Sequence, residues 1–339
     1  MRYESPTPLQ VSEENSFLTD VLVGLRRHPR SIPPKYFYDA HGSRLFDLIC
    51  NTPEYYPTRT EIGILQQFGA QMAELIGKTC VLIELGSGSA TKTPLLLQHL
   101  TENSVYLPID ICEPHLTQST QRLQAMFPAL VMHPFCADYM LLPMLDMDRH
   151  QDKRKVIFFP GSTIGNCTPD EARRLLRHAS ILAGEDGALL IGVDSKKSPD
   201  ILNAAYNDAD GHTAAFNRNL LLRIQRELGA KVDPDSFLHY AYYNAEMGRI
   251  EMHLISQRAQ TIYLNGEHFH FKLGESIHTE NSYKYTVQEF QELARSAGWH
   301  PKMVWSDRSG LFNVHYLSQS ATELRHLPQK VHDESVVSG

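Results

Sequence analysis

The sequence is poor in the features that mark several large classes of protein. It has 5 cysteines in 339 residues, at positions 50, 80, 112, 136 and 167, and no Cys-x-x-Cys pair. An odd, scattered set of this kind indicates neither a disulfide framework nor a zinc site. We therefore expect reduced thiols and a cytoplasmic protein.

Positive charge and long apolar runs are also scarce. The formal net charge is -7, and no long basic run exists, so we expect neither nucleic acid nor a membrane as a partner. No apolar stretch is long enough to span a bilayer, and residues 1–15 lack the layout of a signal peptide. His268 and His270 share a strand face but have no Glu or Cys partner at ligand spacing, so we expect no metal. The expected state is a monomer that acts on a small-molecule substrate.

What the chain does have is the composition of a globular enzyme. Apolar residues make up 42% and charged residues 21%, which argues against disorder. A chain of 339 residues exceeds one ordinary hydrophobic core, so two domains are expected.

Residues 81–93 form the stretch around which the rest is organised. An apolar run, 81–85, is followed by Gly86 and Gly88 and then by a predicted helix at 94–100. Such a run between glycines is typical of a buried parallel strand, and the glycines let a ligand approach the backbone. The following helix directs unpaired N–H groups at the turn. The stretch predicts the first strand, loop and helix of a nucleotide-binding sheet.

The segments that follow repeat this alternation. They predict strands at 105–109, 131–136, 156–159 and 188–193, and helices at 115–126 and 169–182. The fold class is therefore α/β, with a doubly wound, mostly parallel, Rossmann-like sheet. Two late strands, 303–306 and 312–317, are expected at the edge of that sheet.

The rest of the chain predicts a second, discontinuous α+β domain. In this domain we expect helices at 16–27, 45–50, 202–208 and 213–228, and strands at 250–255, 260–264 and 268–273 with a hairpin turn at Asn265-Gly266. Helices at 61–76 and 286–297 are expected to belong to the domain of the parallel sheet. The proline-rich and aromatic segment 53–61 is expected to be a rigid loop or to line a site. The predicted division assigns the cofactor domain to 62–195 and 286–320, the substrate domain to 1–61 and 196–285, and a mobile tail to 321–339.

Two ligand classes compete for the glycine turn. A dinucleotide normally needs Gly-x-Gly-x-x-Gly, but Thr91 stands at the third glycine position. S-adenosylmethionine (SAM) has no phosphate and needs a bare turn, a ribose carboxylate and a polar group near adenine. Its requirements are met in order by Glu84, Gly86, Asp110 and Asp138, and Lys92 could meet the methionine carboxylate. The pattern favours SAM.

Several longer motifs resemble the histidine-specific, SAM-dependent methyltransferases of ergothioneine biosynthesis. They are Ile-Glu-Leu-Gly-Ser-Gly at 83–88, the segments 53–61, 160–166, 205–208 and 213–217, and Ile-Glu-Met at 250–252. The resemblance covers about residues 33–317. It implies a methyltransferase sheet with a separate substrate domain, and trimethylation of the α-amine of L-histidine to hercynine.

The resemblance also implies roles for individual residues. The resemblance implies that Asn166 and Tyr206 are the catalytic residues and hold the substrate carboxylate. Around the rest of the substrate it implies Tyr56, Glu280 and Ser282 at the imidazole, Met252 packed near it, and Gly161 at the amine. For SAM binding it implies Gly86, Lys92, Asp110, Asp138 and Tyr139, the last covering adenine.

The polar residues near the end of the second domain suit an imidazole ring. Imidazole presents a donor and an acceptor on different ring nitrogens. Glu280 can accept a ring N–H, and Ser282 can donate or accept. In an extended segment these two residues face the same way. A site built to hydrogen-bond a polar ring rejects apolar rings, because its own groups would be left unpaired.

Three other functions are weighed against this interpretation. A methyltransferase for another aromatic amino acid such as tryptophan is disfavoured by Glu280, because indole needs only one acceptor and more room. A nicotinamide-dependent oxidoreductase is disfavoured by Thr91. A SAM-binding protein without activity is disfavoured by the intact set of candidate residues.

Overall fold

The computed structural model describes residues 13–141 and 152–320. The predicted tail at 321–339 lies outside the described residues. The helices described, in chain order, are α1 Glu13–Arg26, α2 Ala40–Cys50, α3 Tyr56–Ile76, α4 Pro94–Leu97, α5 Glu113–Met126, α6 Pro169–Ala183, α7 Pro199–Ala205, α8 His212–Leu228 and α9 Val287–Ser296. The strands are β1 Arg30–Ser31, β2 Cys80–Leu85, β3 Val105–Asp110, β4 Val131–Met132, β5 Phe135–Cys136, β6 Arg154–Phe159, β7 Ala188–Asp194, β8 Phe237–Asn244, β9 Arg249–Ser256, β10 Gln260–Leu264, β11 Glu267–Phe271, β12 Ser276–Tyr283, β13 His300–Ser306 and β14 Phe312–Ser318.

The larger sheet confirms the predicted α/β class. Its strand order is β13-β14-β7-β6-β2-β3-β4, with β5 also paired to β3. The strands from β7 to β4 run parallel, whereas β14 and β13 are antiparallel additions. Both β2 and β7 are buried at every residue. Continuous apolar runs form them because helices cover both faces of the sheet.

Two details of this sheet differ from the prediction. The strand expected at 131–136 is split into β4 and β5, which pair separately with β3. The two late strands do extend the sheet, but β14 is an inner strand between β7 and β13. Inner position explains why β14 is buried along its whole length.

A second sheet has the order β1-β12-β9-β8 and carries much of the remaining core. The predicted hairpin at Asn265-Gly266 is confirmed, because it joins β10 to β11 with positive φ values of 49° and 78°. The central strand β12 was not predicted as a strand. The division of the chain into two domains stays a prediction.

Helix α3 starts earlier than predicted. The prediction for 53–61 was a rigid loop or a segment that lines a site, with a helix from residue 61, but α3 already begins at Tyr56. Tyr55, Pro57 and Thr58 do line the cavities described below. Pro57 fits the first helical turn, where its missing N–H removes no hydrogen bond. The helix thereby carries Glu61 into the interior, where its exposed fraction is 0%. A motif interpreted as a loop is therefore a helix start that delivers a buried carboxylate.

Within the described part of the chain, no helix is both long and apolar enough to cross a membrane.

Candidate active site

A cavity of ≈ 420 Å³ opens at the carboxyl ends of β2, β3 and β6. Polar groups collect there because the carboxyl ends of parallel strands meet at one edge of a sheet. All five residues predicted to bind SAM line this cavity, namely Gly86, Lys92, Asp110, Asp138 and Tyr139. The structure thus brings together residues that are up to 53 positions apart in the chain.

The glycine turn is shaped by neighbours on both sides. Gly86 has a φ of 67°, and a Cβ placed on it would lie 3.5 Å from the Tyr139 ring. A larger residue would therefore be strained by this positive φ, and its Cβ would be in van der Waals contact with that ring. The N–H of Gly88 donates to Asp110 Oδ2 at 2.8 Å, and the N–H of Cys112 donates to Oδ1 at 3.0 Å. Asp110 is held in place while the remaining lone pairs of its carboxylate stay available to a ligand.

Lys92 has a partner that was not predicted. Its Nζ lies 2.6 Å from Oε2 of the buried Glu61, and the N–H of Gly161 donates to the same oxygen at 2.9 Å. The Glu61 carboxylate lies so close to β7 that a Cβ on Gly192 would fall 2.1 Å from Oε1. One carboxylate therefore joins the glycine turn after β2 to the loop after β6.

A second, smaller chamber adjoins the first and has a volume of ≈ 50 Å³. Gly161 and Asn166 line both cavities, so they lie at the junction. The chamber is also lined by the other predicted substrate residues apart from Tyr56, namely Tyr206, Met252, Glu280 and Ser282. Its position next to the larger cavity suits transfer of a group from one ligand to another.

A β-bulge directs Glu280 into this chamber. Between β12 and β9, His278 pairs with His253 but Glu280 pairs with Met252, so Thr279 is an extra residue. Thr279 Oγ1 donates to Asn217 Oδ1 at 2.8 Å and to the Met252 carbonyl at 3.1 Å. The bulge turns Glu280 onto the face that Ser282 also occupies.

The Glu280 carboxylate is buried and has no hydrogen-bond donor among the residues that the structure describes. Burial raises its pKa to about 7, and the ammonium of Lys284 limits the rise. A buried carboxyl without a donor is costly unless a ligand supplies one. This geometry favours a ligand that carries an N–H or an O–H.

Comparison with known proteins places this site in a family. A sequence model described as "Histidine-specific methyltransferase, SAM-dependent" matches residues 17–319. The chain is 37% identical over 305 residues to "Histidine N-alpha-methyltransferase" of Mycolicibacterium smegmatis, covering 87% of this chain and 92% of that protein. The chain belongs to the histidine-specific, SAM-dependent methyltransferase family.

More distant relatives carry other names. "Ergothioneine biosynthesis protein 1" of Neurospora crassa is 30% identical over 313 residues, covering 88% of this chain and 34% of that protein. A 4-dimethylallyltryptophan N-methyltransferase of Claviceps purpurea is 27% identical over 320 residues, covering 87% of this chain and 92% of that protein.

In this histidine-specific methyltransferase, the Tyr56 hydroxyl contacts a residue of the chamber wall, and its predicted role at the imidazole stays a prediction. It was expected to surround the imidazole, but it does not line the chamber. Its hydroxyl donates to the carboxylate of Asp194, with distances of 2.7 and 2.8 Å to the two oxygens. Asp194 does line the chamber, so the Tyr56 hydroxyl is linked to the chamber wall through that residue.

Sequence reasoning missed three charged residues of the methyltransferase that form a cluster behind the chamber. Asp194 accepts from Lys197 Nζ at 2.6 Å and lies 2.7 Å from Lys284 Nζ. Lys284 could have been found, because it lies two and four residues after Ser282 and Glu280 and so shares their face of an extended segment. Nothing local indicates that Asp194 at the end of β7 meets it.

Aromatic side chains close the methyltransferase chamber on the side of α2. Tyr38 and Phe46 line both cavities, and their ring centroids are 5.8 Å apart. Tyr55 stands edge-on to Tyr206 at 6.1 Å. Such faces can hold a cation.

One group of metal-ligating side chains, Glu251, His253 and His278, occurs in the described part of the methyltransferase. The Glu251 carboxylate already accepts from Arg249, Tyr242 and Asn244. These donors and the nearby guanidinium oppose a cation there. His268 and His270 lie on β11, where His270 Nδ1 is 2.9 Å from Thr261 Oγ1.

Replacing Asp110 by asparagine should weaken SAM binding strongly. The variant loses the charge that we expect to accept from the ribose hydroxyls, and two charged hydrogen bonds together contribute about 3 kcal/mol. We expect the Kd for S-adenosylhomocysteine, measured by calorimetry, to rise about 100-fold. The matched control is Asp47→Asn, in the same cavity wall, which should change the Kd less than about 3-fold. Equal losses in the two variants would contradict the assigned role.

Proposed function

We propose that this enzyme transfers methyl groups from SAM to the α-amine of L-histidine in three successive in-line steps. The product is N,N,N-trimethylhistidine, the betaine hercynine, which places the reaction in ergothioneine biosynthesis. The observation that carries the proposal is the buried Glu280 carboxylate, which lacks a protein donor and faces a chamber next to the SAM cavity. The similarity to a histidine N-alpha-methyltransferase over 87% of the chain supports it.

The larger cavity fits SAM in its chemistry. Asp110 would accept from the ribose hydroxyls, Asp138 would bind the adenine amino group, and the Tyr139 ring would cover adenine. Gly86 leaves room for the ligand beside the backbone, and a Cβ there would meet Tyr139. Lys92 has three ammonium hydrogens, so it can bind the methionine carboxylate while it stays paired with Glu61. SAM, when bound, supplies an electrophilic methyl on a sulfonium.

The smaller chamber would hold histidine by both ends. Glu280 and Ser282 bind the imidazole, and Met252 packs beside it. Asn166 and Tyr206 hold the α-carboxylate. The amine then lies at the junction of the cavities, next to Gly161, which lines both of them.

Alignment, rather than a dedicated base, is proposed to drive the reaction. The amine must be neutral to attack, and the free α-amine has a pKa of about 8. A sulfonium nearby disfavours the ammonium form, so the site selects the neutral amine. Asn166 and Gly161 hold the amine in line with the methyl group. The permanent cation of the product can lie against the faces of Tyr38 and Tyr206, which line the chamber.

The rate should rise with pH. Below a pH of about 8 most of the amine is protonated, so log(kcat/KM) should climb with a slope of about one. Glu280 adds to the slope below its pKa of about 7, because the ionised carboxylate is a stronger acceptor for the ring N–H than the protonated carboxyl group. Steady-state rates from pH 6 to 9.5 test this. A flat profile would contradict selection of the neutral amine.

A mass-spectrometric assay tests the function directly. The protein is incubated with SAM and each amino acid in turn, and gains of one, two and three methyl groups are recorded. We expect gains on histidine and none on tryptophan. Gain on tryptophan without gain on histidine would establish the alternative activity, which similarity to the 4-dimethylallyltryptophan N-methyltransferase makes the second candidate.

The remaining parts of the proposal concern the state of the enzyme. We propose a cytoplasmic monomer that uses no metal ion and binds neither nucleic acid nor membrane. The net charge of -7 supports the last two points.

A further inference from the structure

The ammonium of Lys284 is buried in the chamber wall and its hydrogens are fully used. Its side chain is 1% exposed. Nζ lies 2.7 Å from Asp194 Oδ2, 2.8 Å from Ser282 Oγ and 3.2 Å from Tyr206 Oη. An ammonium has three donors and no acceptor. Both hydroxyl oxygens must therefore accept from Lys284, and each hydroxyl must turn its own proton elsewhere.

Lys284 stays charged because of its neighbours. Burial lowers its pKa, but the Asp194 carboxylate and the Tyr206 phenol raise it by more than burial lowers it, so that the net pKa lies above the ordinary value. Asp194 also binds Lys197, so the wall holds two ammonium groups and one carboxylate. The cluster therefore keeps Lys284 as a fixed donor to Ser282 and Tyr206 throughout the physiological pH range.

The two hydroxyls then have few protons to share. Tyr206 Oη donates to Ser282 Oγ at 2.7 Å, so Ser282 accepts twice. Its own proton has no acceptor among the described residues and is left for a ligand. If the substrate carboxylate takes the Tyr206 proton, Ser282 still accepts from Lys284.

With histidine bound, one arrangement satisfies every group. Tyr206 donates to the carboxylate, Ser282 donates to the ring nitrogen that has a lone pair, and the ring N–H donates to ionised Glu280. If Ser282 accepted the ring N–H instead, the ring lone pair would need a protonated Glu280 as its donor, and the proton of Ser282 would have no acceptor, which is costly in a buried site. The satisfied arrangement requires a neutral ring.

We propose that Lys284 is a positioning residue that makes Ser282 a hydrogen-bond donor, so that the chamber accepts the neutral imidazole ring and rejects the imidazolium. This rests on the proposed function. Lys284 acts through Ser282 and Tyr206 and need not touch the substrate. The position of Lys284 thus explains why Ser282 is the donor and Glu280 the acceptor in the chamber.

The charged and titratable groups that face Glu280 limit what else could produce a pH effect. They come from the elements around the chamber and are Tyr38, Tyr55, Tyr139, Tyr206, Asp194 and Lys284. Burial raises the pKa of Asp194, but the ammonium groups of Lys284 and Lys197 lower it by more, so this carboxylate stays ionised. The pKa values of these tyrosines are all raised, by burial first, so the phenols stay neutral below pH 10. Between pH 5.5 and 7.5, the remaining titrations are those of Glu280 and the ligand ring.

The test compares histidine affinity at pH 5.5 and 7.5 by calorimetry, with S-adenosylhomocysteine present. For the wild type we expect the Kd to be about 10-fold higher or more at pH 5.5, because only about a tenth of the imidazole is neutral there. In Lys284→Met, Ser282 can accept, so an extra proton is tolerated. We expect weaker binding overall, and a Kd that changes less than about 3-fold between the two pH values. The α-amine of histidine titrates in the same way in every variant, so its contribution cancels when the ratios of Kd at the two pH values are compared.

Lys197→Met is the matched control, because Lys197 binds Asp194 but does not contact Ser282 or Tyr206. It should keep the wild-type ratio. If Lys284→Met fails to bind S-adenosylhomocysteine, Ser282→Ala takes its place and should show the same reduced ratio. The proposal is overturned if the replacement weakens binding but keeps the wild-type ratio, or if the wild type shows no pH effect. A wild type that binds tryptophan and no histidine at either pH would instead refute the proposed function.

Discussion

Replacing Glu280 by alanine should lower kcat/KM for histidine by about 10³-fold, since removal of one partner of a buried, charged hydrogen bond costs about 4 kcal/mol. The ring N–H would lose its acceptor in a chamber from which water is largely excluded. The Kd for S-adenosylhomocysteine should change less than about 3-fold, because Glu280 does not line the larger cavity. Steady-state kinetics and calorimetry measure the two effects. Equal losses in both would contradict the assignment.

The isosteric variant Glu280→Gln separates recognition from folding. The pKa of Glu280 is raised by burial to about 7, so the folded protein holds this proton more tightly than the unfolded chain does. The stability from that protonation is fully present below the unfolded pKa of about 4.5 and is lost as the pH rises through 7. Glutamine removes the effect. At pH 8 the variant should therefore unfold at a higher temperature than the wild type, and its free energy of unfolding should be larger by up to about 3 kcal/mol. At pH 4.5 the two proteins should have nearly the same stability.

Much of the larger sheet could be predicted because its signals are local. Apolar runs such as 81–85 and 188–193 coincide with β2 and β7 within one or two residues. The position of β14 could not be predicted, because an inner antiparallel strand has the same apolar pattern as a parallel one. The start of α3 was missed because prolines usually indicate loops, and the first helical turn is the exception.

The candidate site was predictable where its residues follow strand ends or alternate along a strand. Asp110 and Asp138 belong to the first kind, and Glu280 with Ser282 to the second. The bulge at Thr279 was not predictable, although it decides which way Glu280 faces. Pairings over long sequence distances were equally hidden, as for Tyr56 with Asp194, which are 138 residues apart. Chain folding, and no local pattern, selects such partners.

Glu61 gives the second large effect that we expect. Its carboxylate pairs with Lys92 and accepts the Gly161 N–H, and it is 0% exposed. In Glu61→Gln the Lys92 charge loses its partner in the interior, which should destabilise the protein by about 3 kcal/mol. The links to the glycine turn and to Gly161 also loosen, so the methyl donor and the amine lose alignment. We expect kcat to fall about 100-fold, because misplacement by about 1 Å can cost that much.

A double-mutant cycle distinguishes alignment from stability. In Lys92→Met with Glu61→Gln, no charge is left unpaired, so most of the lost stability should return. The rate at saturating SAM should not return, since neither residue then joins the turn after β2 to the loop after β6. Saturation is needed because Lys92 is also the proposed ligand of the methionine carboxylate. Thermal unfolding and single-turnover rates are measured for both single variants and for the double variant. Additive stability losses would show that the pair is not coupled. Recovery of the rate together with stability would show that Glu61 serves folding alone and does not align the substrates.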